Sequence, residues 1–239
     1  MDTTLLLLTI GIFAGFFIQT IIGFGGSLIA LPFLLFVMPL SEAVSYLSIF
    51  YLISSPIYVY KEWEHIDKHL LKKIAFSSFF GVLAGILILV YGKPFILKQA
   101  LGVFIILFVL NSLRIKKKLR LLKRTKHFLG FLGGFFSGVF STGGPLYVMI
   151  VHNETTDIKT FRATMFGTLG LVTLFRIPAL VAGGVMNMEQ IYNSIYVVPF
   201  FILALFLGKK VYLKLNEVLI KRVVLGLLFV SGLMLVFKV

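Results

Sequence analysis

Apolar residues fall in long continuous runs along the chain, at about 4–22, 27–40, 43–60, 73–91, 95–112, 128–141, 145–152, 158–183, 190–208 and 218–237. Short polar and basic stretches punctuate them. Continuous rather than alternating apolar sequence excludes a transmembrane β-barrel, and runs of about 18 residues or more can cross a bilayer as helices. The pattern predicts an all-α polytopic membrane protein. Residues 4–40 do not fit a simple count. As one helix they would rise about 55 Å, against a hydrocarbon core of about 30 Å. The stretch Gly23-Phe24-Gly25-Gly26 must therefore interrupt the segment. A second interruption, Ser141-Thr142-Gly143-Gly144-Pro145, stands at the matching place in the second half.

Each interrupted segment is either one bent crossing or a helix pair that turns back at the glycines, and charge separates the two. With bent crossings there are eight spans, and the 23 Lys and Arg divide 13 to 9 between the faces, with Arg176 inside a span. With paired helices, four basic residues in 61–73, eight in 114–126, Lys159, Arg162 and five in 209–222 share one face, 19 in all. Lys93, Lys98 and Lys238 take the other. The 19 to 3 division agrees with the positive-inside rule. The paired arrangement gives about ten membrane segments in two inverted repeats of five, each opening with a Gly-broken helix pair. Those pairs either cross fully or dip in and return. The repeats cover 1–113 and 127–239, joined by a basic cytoplasmic linker over 114–126, with both termini outside. At an offset of 118, Gly25 and Gly26 align with Gly143 and Gly144, Gly15 with Gly133, and Leu28 with Leu146.

Composition agrees. The chain of 239 residues is 59% hydrophobic and 13% charged, where a soluble domain is nearer 45–50% apolar. The net charge of +14 is explained by basic loops facing anionic lipid headgroups, and no nucleic-acid motif is present. With no cysteine there is no disulfide and no thiolate chemistry. The acidic Asp2, with no basic residue before the first apolar run, makes that run a first helix rather than a cleaved signal. His65 and His69 have helical spacing but belong to the solvated stretch KEWEHIDKHLLKK, so no metal site is expected. No nucleophile–base spacing can be read, so the chain is not expected to be an enzyme, and no cofactor is implied.

The interruptions are the candidate chemistry. Irregular backbone at membrane depth is tolerated where it is buried in protein or lines a polar cavity, and matching Gly-broken segments in inverted repeats point to a transport site. Each break is followed by a new helix, whose first N–H groups and positive dipole end favour an anion. Gly25, Gly26, Ser27, Ser141, Thr142, Gly143 and Gly144 are the candidate residues, with Gln19 and Thr20 beside the first break. Gly11, Gly15, Gly130, Gly133 and Gly134 are read as helix-packing positions. Arg176 lies inside an apolar run, a costly placement that marks function by default. Arg162 lies 14 residues earlier, about 40° around the helix and about 21 Å along it. The two would mark one face of a path, with Arg162 at its cytoplasmic mouth. All nine acids lie at or near loops, which argues against a cation transporter or a carboxylate proton relay.

The stretches GFFIQTIIGFGGSLIALPFLL and GFLGGFFSGVFSTGGPLYVMIV, with FRATMF and LFRIP after the second, resemble the TauE/SafE family of sulfite and organosulfur-anion exporters. The resemblance covers essentially the whole chain. It implies outward transport of sulfite, sulfoacetate, thiosulfate or a similar small oxyanion across the bacterial inner membrane. Gly25, Gly26, Thr142, Gly143 and Gly144 match the family's Gly-rich motifs, and Arg162 and Arg176 its basic positions. Gln19 and Thr20 stand where the family commonly has small residues, a departure that bears on substrate choice. The expected partners are a small inorganic or organosulfur anion, membrane lipids and, left open, a second copy of the chain as a homodimer. An anion channel and a non-transporting membrane scaffold are the alternatives.

Overall fold

The computed structural model describes residues 3–114, 123–212 and 217–237. Ten α-helices make up those residues: α1 (Thr3–Ile22), α2 (Gly26–Leu34), α3 (Leu40–Glu62), α4 (Lys68–Tyr91), α5 (Pro94–Arg114), α6 (Lys123–Phe140), α7 (Gly144–Glu154), α8 (Ile158–Ala182), α9 (Met188–Tyr212) and α10 (Glu217–Phe237). One 3-10 turn, Trp63–His65, follows α3. No strand occurs among the described residues. Most of the expected linker, 115–122, and the terminal residues 1, 2, 238 and 239 lie outside the described residues, as do 213–216 in the last basic stretch.

Among the described residues, five helical stretches are long and apolar enough to cross a membrane: α1, α3 with its 3-10 turn, α4, α8 and α9. Shorter apolar stretches lie in α5 and α10. The helices after the breaks are different. α2 has 9 residues and α7 has 11, so they rise only about 14 and 17 Å. Neither can cross a core of about 30 Å.

The ends of the long helices sort into two faces. At one, Ser45 near the start of α3 donates to the carbonyl of Val185 between α8 and α9, and the amide of Asn193 on α9 donates to the Tyr46 hydroxyl. Gly183, just past α8, sits against Val90 at the end of α4. At the other face, the Asp67 N–H ahead of α4 donates to the Thr164 hydroxyl near the start of α8 (3.0 Å). Lys126 in α6 and Glu154 at the end of α7 form an ion pair there. The α1–α2 pair therefore opens at the first face, where α2 leads into α3. The α6–α7 pair opens at the second.

α1 packs on α9 and α6 on α4, while α3 packs on α8 and α5 on α10. Exchanging α1–α5 for α6–α10 maps this list onto itself. Helix bounds recur at the 118-residue offset: α2 and α7 begin at 26 and 144, α3 and α8 at 40 and 158, and α1 and α6 end at 22 and 140. Glycine permits the close contacts. A Cβ on Gly15 would lie 2.8 Å from that of Ala30 on α2, and one on Gly85 would lie 3.0 Å from the Cα of Gly138 on α6. Large apolar side chains such as Phe76, Phe80, Tyr196 and Phe206 project outward from α4 and α9, as a lipid-facing surface requires.

Candidate anion site at the two helix breaks

The first break forms because α1 closes with Gly23 N–H donating to the Gln19 carbonyl (2.7 Å), after which Gly23 and Gly25 take φ of +87° and +84°. That left-handed backbone suits glycine. Gly25 then precedes α2, with no side-chain cap on the new N-terminus. The second break is built differently. Its left-handed residue is Ser141 (φ +59°), a conformation costly for a residue with a side chain. Gly143 has ordinary φ and is needed for room, because a Cβ there would press on the Gly133 carbonyl and the Ser137 hydroxyl. Pro145 in the first turn of α7 suits a helix start, where its missing N–H costs nothing.

The two breaks touch. The Ser27 hydroxyl, at the start of α2, donates to the Ser141 carbonyl. A Cβ on Gly144 would stand 3.6 Å from the Phe24 Cβ and 3.7 Å from the Gly25 nitrogen. Residues 114 positions apart are thereby joined in a buried spot, with Ser27 and Ser141 each 2% exposed and Thr142 fully buried.

Arg176 lies beside this contact and is 2% exposed. Its Nη1 donates to the Ser137 carbonyl in the last turn of α6 (3.1 Å), and its Nη2 to the Thr173 hydroxyl (3.4 Å). Its guanidinium carbon is 5.6 Å from the centre of the Tyr51 ring. No carboxylate among the described residues pairs with it. Arg176 Nε, Ser141 Oγ, Thr142 Oγ1 and Gln19 Oε1 are all buried with no hydrogen-bond partner. Buried polar atoms are ordinarily paired, so four orphans around one contact mark a place built for something else.

The other expected residues lie apart. Arg162 does not face the same spot as Arg176. Its Nη2 donates to the Thr20 carbonyl at the end of α1 (2.8 Å), and its guanidinium lies 5.9 Å from the Phe166 ring. The Thr20 hydroxyl is spent on the Phe16 carbonyl (2.7 Å) and on the Tyr58 hydroxyl (2.6 Å). Tyr58 stacks on Phe166 at 4.0 Å. The two arginines of α8 thus serve different helix ends, each a cation at a C-terminal turn.

Sequence reasoning missed three tyrosines. The Ser27 N–H donates to the Tyr51 hydroxyl, which in turn donates to Ser27 Oγ, both at 3.3 Å. Tyr58 covers Thr20. Tyr147, packed against Gly133, donates to the Ser78 hydroxyl (3.0 Å). A signal existed: Tyr51 and Tyr58 stand seven residues apart inside an apolar run, on one helical face, and a buried Tyr hydroxyl needs a partner.

The sulfite exporter TauE/SafE family model matches residues 7–235. No curated protein and no solved structure gives a match. The match spans nearly the whole chain, and the protein belongs to the TauE/SafE family, a family of transporters.

Proposed function

We propose that this family member exports a small anion, a sulfur oxyanion such as sulfite, sulfoacetate or thiosulfate, by alternating access. The observation that carries the reading is Arg176. A guanidinium only 2% exposed, with no carboxylate against it among the described residues, is a charge whose removal from water is uncompensated, at a cost of several kcal/mol. A mobile anion is the natural counter-ion. The orphaned hydroxyls of Ser141 and Thr142 would supply further donors, and the N-termini of α2 and α7 would add the positive dipole ends of two short helices. Gly25, Gly26, Gly143 and Gly144 let an oxyanion approach the backbone. Gln19 would turn its amide toward the ligand. Arg162 and Thr20, held with Tyr58 at the C-terminal end of α1, would form the cytoplasmic entrance.

Two inverted repeats, 1–113 and 127–239, complete the reading. Support comes from the recurrence of helix bounds at one offset, the packing list that survives exchange of the halves, and entry of the two short helices from opposite faces. Lys61, Lys68, Lys126, Lys159 and Arg162 belong to helix ends at the face where α6 begins, and Lys93 and Lys98 to the opposite one. The basic face would be cytoplasmic in a bacterial inner membrane, with linker 114–126 inside and both termini outside. Rocking of one half against the other about the touching breaks would expose the site to each side in turn.

A thermal-shift panel on purified protein tests this, with sulfite, sulfoacetate, thiosulfate, sulfate, phosphate and chloride set against wild type and Arg176→Met. Stabilisation by one sulfur oxyanion, lost in the variant, supports the reading. A flat response to every anion overturns the anion site and leaves a membrane scaffold. Flux that fails to saturate and ignores an opposing gradient would instead identify a channel.

A further inference from the structure

A cavity away from the touching breaks opens between the end of α2, the first turns of α5 and α10. It holds about 410 Å³, within the range of ligand pockets. Phe33 and Phe36 line one wall, and α10 lines another from Gly226 to Leu235. The polar groups in this apolar lining are Lys98 and Ser231. From Gly226 to Leu235 a helix rises about 13 Å, close to the depth of one bilayer leaflet, half of a core of about 30 Å. Gly102 of α5 packs on Gly232 of α10, so Lys98, one turn before Gly102, lies at the end of the cavity nearer the first face. A long apolar trough with a cation at its interfacial end has the form of a phospholipid: an acyl chain below and a phosphate above, within reach of a snorkelling lysine.

The geometry points to this cavity as a binding site for one anionic glycerophospholipid, its acyl chain along α10 and its phosphate on Lys98. The charge selects an anionic headgroup, since Lys98 is one of only three basic residues that the charge pattern assigns to this face. The lipid would also seat α2, because Phe33 lies on that short helix and Phe36 lies two residues past its end. The corresponding place in the second half offers no such pair: Phe33, Phe36 and Lys98 align at the 118 offset with Val151, Glu154 and Asn216.

Gly226 provides a clean test, because a Cβ there meets nothing within 4 Å. Gly226→Leu starts a side chain in this open space and narrows the trough, and Lys98→Gln removes the charge while leaving the trough open. Native mass spectrometry of the detergent-purified protein would count retained phosphatidylglycerol and phosphatidylcholine, and thermal shifts with each added lipid would give the preference. Wild type is expected to retain one phosphatidylglycerol and to be stabilised several degrees more by it than by phosphatidylcholine. Lys98→Gln should erase that difference, and Gly226→Leu should lose the retained lipid while circular dichroism stays helical. Equal retention of the two lipids by wild type, or an unchanged preference in Lys98→Gln, overturns the proposal. The anion panel with Arg176→Met reports on the other site and stands or falls separately.

Discussion

The two helix breaks share a framework and differ in charge. At the 118-residue offset, Tyr58 of α3 occupies the place that Arg176 occupies in α8. Tyr58 reaches the end of α1 with a neutral hydroxyl on Thr20, and Arg176 reaches the end of α6 with a guanidinium on Ser137. The first break also receives Arg162, but from α8 and onto a backbone carbonyl, whereas the α3 residue at the matching offset is Val44. Helix bounds and packing partners repeat because they follow from segment lengths and glycine contacts. Charge does not repeat. Under the proposed function, the buried cation at one break would place a single anion off-centre, toward the start of α7, rather than two anions symmetrically.

The largest effect should come from removing that asymmetry. Arg176→Met replaces a buried unpaired charge with an apolar side chain of similar length, a change expected to leave stability equal or higher by about 1–4 kcal/mol. The same variant should lose all stabilisation by the oxyanion, which for wild type is about 2.7 kcal/mol at a hundredfold excess over the dissociation constant. A variant that unfolds in detergent, or still responds to the anion, would show Arg176 to be structural.

Backbone substitution separates the breaks next. Gly25→Ala forces a side chain into a left-handed conformation (φ +84°), at a cost of about 1–2 kcal/mol. Gly144→Ala meets ordinary contacts at 3.6 Å and beyond, so its unfolding midpoint should stay near wild type while a methyl stands between the breaks and weakens anion binding. Equal destabilisation by both would mean that the second break depends on glycine in the same way as the first.

Tyr51→Phe sharpens the comparison further. The Tyr51 hydroxyl accepts the Ser27 N–H at the start of α2 (3.3 Å), where an anion oxygen would otherwise sit. Removing that competitor should tighten anion binding several-fold, in line with a net hydrogen bond of about 1 kcal/mol. Weakened binding in a titration calorimeter would make the hydroxyl a ligand rather than a competitor.

The smallest effect lies outside the apolar core. Asp157 caps α8, accepting the Thr160 N–H (2.8 Å), and this bond holds its carboxyl below the usual aspartate range. A depressed folded value contributes stability that is present above the unfolded pKa of about 3.9 and is lost as pH falls through the folded one. The protection of amides in the first turn of α8, corrected for the intrinsic exchange rate, should fall on acidification below about pH 4. Asp157→Asn should flatten that response.

Much of this architecture was legible in sequence for a simple reason. Hydrocarbon tolerates no unsatisfied backbone, so apolar run length alone sets helix bounds. The runs at 158–183 and 218–237 became α8 and α10 within a residue. The glycines of GFGG and STGGP marked real ends of α1 and α6, but not why each was glycine. Gly25 is there for its φ and Gly143 for space, and only coordinates distinguish the two. Where Arg162 and Arg176 reach was not legible either. Fourteen residues of helix place them on one face, yet each side chain bends to the nearest helix end.

The sequence by itself determined the helical class, the positions of the breaks and the family. These follow from local properties, apolar length and glycine, that act without reference to distant residues. Tertiary structure alone decided that the breaks touch through Ser27 and Ser141, that Arg176 meets no carboxylate among the described residues, and that Tyr51 stands at the start of α2. Each is a contact between segments far apart in the chain, where packing geometry rather than residue type chooses the partner.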